Sequence, residues 1–372
     1  MKRKLVIIGC ILFSIPILLV LILLVINSIL HLQNRGFIEG ERDGVITKSG
    51  MVVTAHPLAS QIGVDILKQG GNAFDAAIAV QFALSVVYPK AGNIGGGGFL
   101  VYRTSDGTIG SLDFRERAPL KSYRNMFLDE KGNAIKDLSR HGHLSAGVPG
   151  TVDGMARLHE KLGSLPFKEL VQPSVDLAAN GYLLTQKNAD NMNNYRELFV
   201  KTNRFIPHFV GQKAWKKGER FIQKDLSRTL SMIRDQGRDG FYKGDTALRI
   251  IQEMEAGKGI INAEDLDAYR SIWRKPVTAD YKNFRIISMP LPSSGGISLI
   301  QLLKGARKFN FKVLGHNTHQ SIHLMTELER RVFADRATYL GDSDFVKVPV
   351  SNLISEDYLQ TRFADINPDQ KT

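Results

Sequence analysis

The strongest constraint on this chain lies at its start. Lys2, Arg3 and Lys4 precede an apolar run from Leu5 to about Leu30, interrupted only by Ser14, Pro16, Asn27 and Ser28. About 20 apolar residues cross a bilayer core, so the run is long enough to span one. A cleaved signal peptide carries an apolar stretch of about 7–15 residues and then a small-residue cleavage site. This run is longer, and no such site follows it. The expectation is a single-pass transmembrane helix over residues 5–30, with the basic flank 1–4 in the cytoplasm and the body periplasmic or extracellular. Ile7-Ile8-Gly9-Cys10 invites a lipid-attachment reading, but the apolar run continues past the cysteine, which favours a thiol packed in a membrane helix. Cys10 is the sole cysteine of the chain, so the body has no internal disulfide and no cysteine nucleophile.

Residues 31–47 are polar and read as a tether. From residue 48 to 372 the chain has the composition of a folded domain: 43% of all residues are hydrophobic, too many for disorder. Met51–Ala55 reads as a short strand. From Leu58 to Lys68 the apolar residues Ile62, Val64, Ile66 and Leu67 fit a helix better than a strand, and Gly70-Gly71 stops it. Asn72 is a cap for an Ala-rich helix, Ala73–Val87, apolar on most faces and therefore expected in the core. Tyr88-Pro89 ends it. A glycine cluster, Gly92-Asn-Ile-Gly-Gly-Gly-Gly98, then leads into Phe99–Arg103, an Asp106-Gly107 turn, and a return from Ile109 to Phe114. Two apolar runs around Asp-Gly predict a hairpin. Residues 151–190, 221–256, 297–305 and 318–340 read as mainly helical, and Tyr281–Met289 as a strand. This mixture argues for an α/β or α+β domain around buried helices.

Several candidate chemistries fail on spacing. A phosphate loop needs Lys and Ser/Thr after its last glycine, where this chain has Phe99 and Leu100. The dinucleotide fingerprint lies between a strand and a helix, whereas this cluster follows a helix and precedes a strand. Its glycines are better read as permitting positive φ and close backbone approach. His319, His323 and Glu327 share a helix face, but the metalloprotease pattern is absent, and surface or capping roles are favoured. His141 and His143 flank a glycine and would share one side of a strand. Ser293-Ser294-Gly295-Gly296 lacks the nucleophile-elbow pattern and reads as a turn capping the next helix. The net charge of +12 is spread along the chain; its densest body cluster, Lys213 to Arg220 with Trp215, carries no nucleic-acid motif. A membrane-tethered polyanion binder rests on charge alone. The polar cluster Asp113-Phe-Arg115-Glu116-Arg-Ala-Pro119 closes the hairpin beside the glycines. Arg115 there either clamps a substrate carboxylate or closes a local ion pair with Asp113 or Glu116, and residue types alone favour the ion pair.

Taken together and in order, these segments resemble the gamma-glutamyltransferases (glutathione hydrolases). The resemblance rests on Gly63-Val-Asp-Ile-Leu-Lys-Gln-Gly-Gly-Asn-Ala-Phe-Asp-Ala-Ala77, Pro89-Lys-Ala-Gly-Asn-Ile-Gly-Gly-Gly-Gly-Phe99 and Phe114-Arg-Glu116 with Ala118-Pro119. Val148-Pro-Gly-Thr151, Leu170-Val-Gln-Pro173, Met289-Pro-x-Pro-Ser-Ser-Gly-Gly296, Ala334-Asp-Arg336 and Tyr339-Leu-Gly-Asp342 follow. It covers roughly residues 48 to 361. It implies an α+β, N-terminal-nucleophile hydrolase-like four-layer αββα sandwich, made as a precursor that cuts itself into a large and a small subunit. The first residue of the small subunit, a Thr, would be the nucleophile, with its own α-amino group as base. The implied substrates are glutathione and other gamma-glutamyl compounds, with water or an amino acid or peptide as acceptor. No metal, no organic cofactor and no nucleic acid is implied. Arg115 matches the family's arginine for the glutamyl α-carboxylate, which reverses the local preference for an ion pair. Glu116 follows as a second substrate-binding candidate that orients Arg115.

The Thr-Thr-His-like cleavage segment of the family lies downstream of every match here, and the chain reaches Thr372 before any such segment. No internal Thr has the required context; Thr151 follows Pro-Gly in what reads as a structural turn. The expectation is a membrane anchor plus a large-subunit domain that ends before the self-cleavage site, has no catalytic residue of its own, and is inactive alone. The alternative is a truncated or diverged membrane-tethered protein with a binding or structural role.

Overall fold

The computed structural model describes residues 44–204, 206–210 and 214–372. The membrane span expected over 5–30, the flank 1–4, Cys10 and all of the tether except residues 44–47 lie outside the described residues. Among the described residues, no helix is long and apolar enough to cross a membrane. The chain divides after Met51 into two units. In the shorter one, residues 44–51 hold no helix or strand. The longer unit, Val52–Thr372, carries the fold.

Asn72 sets the start of its central helix. The Asn72 side chain accepts the backbone N–H groups of Phe74 and Asp75, and the Asp75 carboxylate accepts the N–H of Asn72. This reciprocal capping box satisfies donors that a helix start otherwise leaves unpaired. The helix Ala73–Val87 then runs as expected, and Ile78, Ala79, Phe82, Ala83 and Val86 are fully buried. Asp75 also accepts the N–H and hydroxyl of Ser164, which ties this helix to the loop after the helix Thr151–Leu162. The helix Pro57–Lys68 crosses close by at Gly63, where a Cβ would fall 2.7 Å from Val52 and 2.8 Å from Val80. Around this pair, Phe167–Asn180 and Lys224–Gln236 complete the helical part of the core with Leu170, Val171, Leu230 and Ile233.

The hairpin forms at the predicted place. Strand β1 (Phe99–Arg103) pairs antiparallel with β2 (Ile109–Asp113), with Val101 opposite Ser111. Two residues each of β3 (Tyr182–Leu183) and β4 (Arg220–Phe221) pair between helices. Strand β5 (Ile272–Arg274) joins β2 from the far side, Leu112 opposite Trp273, so β2 is the middle of a three-stranded sheet. This pairing spans roughly half the chain and leaves no local pattern to read. A second hairpin follows, β6 (Val277–Tyr281) and β7 (Phe284–Ser288). The strand expected over Tyr281–Met289 is its second arm; Tyr281 belongs to the first, and Lys282 turns the chain at φ 53°.

Two local expectations fail. Residues 51–55 form no strand. The Thr54 hydroxyl bonds the His56 carbonyl and the Ser60 hydroxyl, which bends the segment onto the next helix start. His141 and His143 do not sit on a strand: Gly142 has φ 92°, and His143 opens a 3₁₀ turn. The expected mixture of helices and strands is present, with sheets of three, two and two strands among the described residues.

Candidate functional site

Arg115 stands just past the end of β2, and the glycine cluster fixes its backbone. Phe114 and Gly98 exchange both backbone hydrogen bonds, at 3.0 and 3.2 Å. A Cβ on Gly97 would fall 2.7 Å from the Glu116 nitrogen and closer still to the Phe114 carbonyl, so only glycine fits there. The Gly96 carbonyl in turn accepts the N–H of Gly150 (2.7 Å) and of Thr151 (3.0 Å). Thr151 is buried as the first residue of its helix, with its hydroxyl on the Asn93 side chain at 3.2 Å. Its position is structural, as its sequence context suggests. The cluster is a scaffold that locks the hairpin exit to a helix start.

Two further groups grip Arg115 through its backbone. Its N–H donates to Asp113 Oδ1 at 3.1 Å, and its carbonyl accepts the Tyr269 hydroxyl at 2.7 Å. Tyr269 stacks on Tyr242, ring centroids 5.9 Å apart, and the Tyr242 hydroxyl donates to the Pro149 carbonyl. Burial pushes both phenols above their usual range, so they remain protonated donors. Beneath them Asp153, fully buried, accepts Arg238 Nε at 2.7 Å together with the N–H and hydroxyl of Ser271. Sequence reasoning missed this supporting layer. Its one local trace is Asp153 in the first turn after Val148-Pro-Gly-Thr151, and its partners come from distant segments.

The guanidinium of Arg115 is free of the local ion pair that residue types suggested. The Asp113 carboxylate accepts Arg274 Nε at 2.8 Å, and Arg274 also grips Asp344 at 2.8 and 2.7 Å. The Arg274 contact holds the Asp344 carboxyl below the usual carboxylate range. With Asp113 so committed, Arg115 is exposed, carries no ion pair among the described residues, and has its guanidinium 6.0 Å from the Phe99 ring centroid. Glu116 is likewise exposed, and no hydrogen bond or ion pair joins it to Arg115. The contacts that hold Arg115 among the described residues come from Asp113 and Tyr269, and both act on its backbone.

Arg115 and Glu116 line a cleft of about 670 Å³ with Gly97, Gly98 and Phe99. Its remaining lining comes from Leu291–Ser294 and from Arg336, Ala337, Leu340 and Gly341. Segments remote in sequence thus meet around one opening. Beside the cleft, Gly296 lets its helix start pack against the second hairpin, because a Cβ there would run into the Met289 carbonyl and the Val277 side chain. Ser294 precedes the helix Gly295–Ala306 but makes no side-chain cap bond. Its dihedrals, φ −73° and ψ −17°, are already helical, whereas a capping serine needs extended backbone. Its hydroxyl instead accepts Arg336 Nε at 3.0 Å, inside the cleft.

Three of the other candidates are held elsewhere. His323 bonds the Asn367 carbonyl, and buried Glu327 accepts Arg330 and Arg331 at 2.6 and 2.7 Å. His143 meets Glu253 at 2.7 Å. Among the described residues, no group of three His, Cys, Asp or Glu side chains is placed to hold a metal. Trp215, the aromatic of the basic cluster, donates to the Phe209 carbonyl and packs edge-on against Phe221.

With this geometry in view, residues 59–372 match the sequence profile of the gamma-glutamyltranspeptidase family. The chain is 45% identical over 323 residues to the glutathione hydrolase proenzyme of Pseudomonas sp. strain A14, covering 86% of this chain and 56% of that protein. It spans about half the length of the curated relatives it matches. Among solved structures it is similar to the gamma-glutamyltranspeptidase of Helicobacter pylori, with a TM-score of 0.85 and 45% identity, covering 88% of this chain and 95% of that one. It is also similar to the gamma-glutamyltranspeptidase of Pseudomonas nitroreducens complexed with L-DON, with a TM-score of 0.84 and 41% identity, covering 88% and 97%.

Proposed function

The chain belongs to the gamma-glutamyltranspeptidase family, and from that premise we propose that it is the large-subunit part of a gamma-glutamyltransferase or glutathione hydrolase. The contrast in coverage supports this: about half of each proenzyme is matched, but nearly all of each solved chain. In this reading the Arg115 guanidinium holds the α-carboxylate of a γ-glutamyl group in a bidentate pair. Glu116, beside it and without an ion pair among the described residues, faces the α-ammonium. No threonine lines the cleft among the described residues. The nucleophile is therefore assigned to the small subunit of the same precursor, as that chain's first residue.

The Thr hydroxyl attacks the γ-carbonyl carbon while its α-amino group takes the proton. The C–N bond breaks, the amine leaves carrying that proton, and a glutamyl ester remains. Water or the amine of an amino acid or peptide then attacks the ester and frees the hydroxyl. The small subunit would also complete the four-layer αββα sandwich, and residues 5–30 would anchor the body outside the cytoplasm. The reading needs no metal or organic cofactor.

The observation that carries this proposal is the Arg115 guanidinium left without an ion pair among the described residues while Asp113, two positions away, is held by Arg274. The test is a titration of the protein with glutamate and with glutathione. Arg115→Gln is expected to weaken binding roughly ten- to a hundredfold, the size of a charge-assisted pair worth about 1.5–3 kcal/mol. Unchanged binding by that variant overturns the assignment.

A further inference from the structure

The cleft holds a second guanidinium for which the γ-glutamyl headgroup supplies no counter-charge. Arg336 lies in the last turn of the helix His319–Tyr339 and lines the same cleft as Arg115. Its Nε donates to the Ser294 hydroxyl at 3.0 Å, and its guanidinium sits 5.9 Å from the Phe333 ring centroid. No carboxylate pairs with it among the described residues. The adjacent acid, Asp335, is buried and committed to Arg362 at 2.8 Å and to Gln301 at 3.1 Å. Arg336 therefore has its Nε edge pinned, and both Nη groups are without a partner among the described residues. That is a fork oriented in advance for a carboxylate.

The charge balance makes the same point. The cleft lining contains Arg115, Arg336 and Glu116 as its charged groups. A γ-glutamyl headgroup brings one carboxylate and one ammonium, which Arg115 and Glu116 match. Within this polypeptide's share of the lining one positive charge is left over, and a ligand with a second carboxylate would neutralise it. The cleft volume of about 670 Å³ falls within the roughly 300–1,000 Å³ of small-molecule sites. An extended tripeptide, at most about 10–11 Å long, has the reach to place one carboxylate at each end of such a cleft.

We propose that Arg336, held by Ser294, is a specificity residue that binds a second carboxylate, so that the site prefers γ-glutamyl peptides with a free C-terminal carboxylate. The proposal rests on the reading of Arg115 given above, and its test separates the two. The protein is treated with an arginine-selective dicarbonyl, and modification is read at each arginine by mass spectrometry. Glutathione is expected to shield both Arg115 and Arg336, whereas γ-glutamyl anilide, which lacks the second carboxylate, shields Arg115 alone. Shielding of Arg115 by both ligands, with Arg336 equally open under each, overturns the role of Arg336 and leaves that of Arg115 standing. Shielding of neither arginine overturns both.

A cation in the last turn of a helix also complements the helix dipole, so a purely structural role needs its own readout. Arg336→Gln is expected to weaken glutathione binding about five- to tenfold and to leave γ-glutamyl anilide binding unchanged. An equal loss for both ligands marks a structural effect and overturns the proposal.

Discussion

At the scale of single residues, function follows from which charges are already neutralised. Asp113 and Arg115 are two positions apart, and an ion pair between them is the obvious local guess. Arg274, from the strand that pairs with β2, takes the Asp113 carboxylate, and Arg115 is left without an ion pair among the described residues. Protonation equilibria elsewhere give a test of the same bookkeeping. His56 caps the helix Pro57–Lys68 by accepting the Leu58 N–H on Nδ1, and burial lowers its pKa below the usual 6.5. The unfolded chain then takes up the proton first, so stability is lost as pH falls below 6.5. Glu327 has the opposite chemistry and the same direction. Hydrogen bonds, first from Arg331, pull its pKa from 4.5 to about 2, so its contribution is present above 4.5 and lost as pH falls toward 2. Thermal midpoints against pH should therefore show two acid-side losses. His56→Asn, which keeps a capping acceptor, should remove the upper one, and Glu327→Gln should reduce the lower one, to which Asp75 and Asp344, also held below the usual carboxylate range, contribute. If both variants track the wild type at every pH, these assignments are wrong.

At the scale of elements, the junction of hairpin, glycine cluster and helix start decides where Arg115 points. Gly97 faces the backbone of Phe114 and Glu116, whereas a Cβ at Gly95 would meet no atom within 4 Å. Gly97→Ala should cost about 1–3 kcal/mol, as overpacking does, and should weaken glutamate binding by shifting the Arg115 backbone. Gly95→Ala, on an open face, should stay within about 0.5 kcal/mol of the parent. Denaturant midpoints and a glutamate titration on both variants test this, and equal effects at the two glycines would contradict it. The capping box at Asn72, the two helices it joins and the β1–β2 hairpin are legible in sequence, because each depends on residues a few positions apart. The three-stranded sheet is not, since β5 lies far along the chain from β2 and is only three residues long.

At the scale of the whole molecule, the proposed function gives this polypeptide one part of a catalytic pocket and assigns the rest to a small subunit. The purified 372-residue protein is expected to release no glutamate from glutathione, and to do so once the small-subunit polypeptide is supplied. Turnover by the chain alone would overturn that division of labour. Among the described residues, strand β1 is paired on one side only, with Phe99 and Val101 each 37% exposed. An open edge of this kind promotes association, so the chain should aggregate less when the second polypeptide is present. By itself the sequence determined the mixed helix and strand character, the central buried helix and the hairpin, whereas Arg115 was singled out only by the family resemblance, against the ion pair that residue types favoured. Caps, periodicity and turn residues act over short range and are written locally. Only the tertiary structure decided that Asp113 is neutralised from a distant strand, that Tyr269 holds the Arg115 carbonyl, and that Ser294 and Arg336 line the cleft of Arg115. Those outcomes depend on which remote segments meet, and contacts across such separations are set by packing of the whole core.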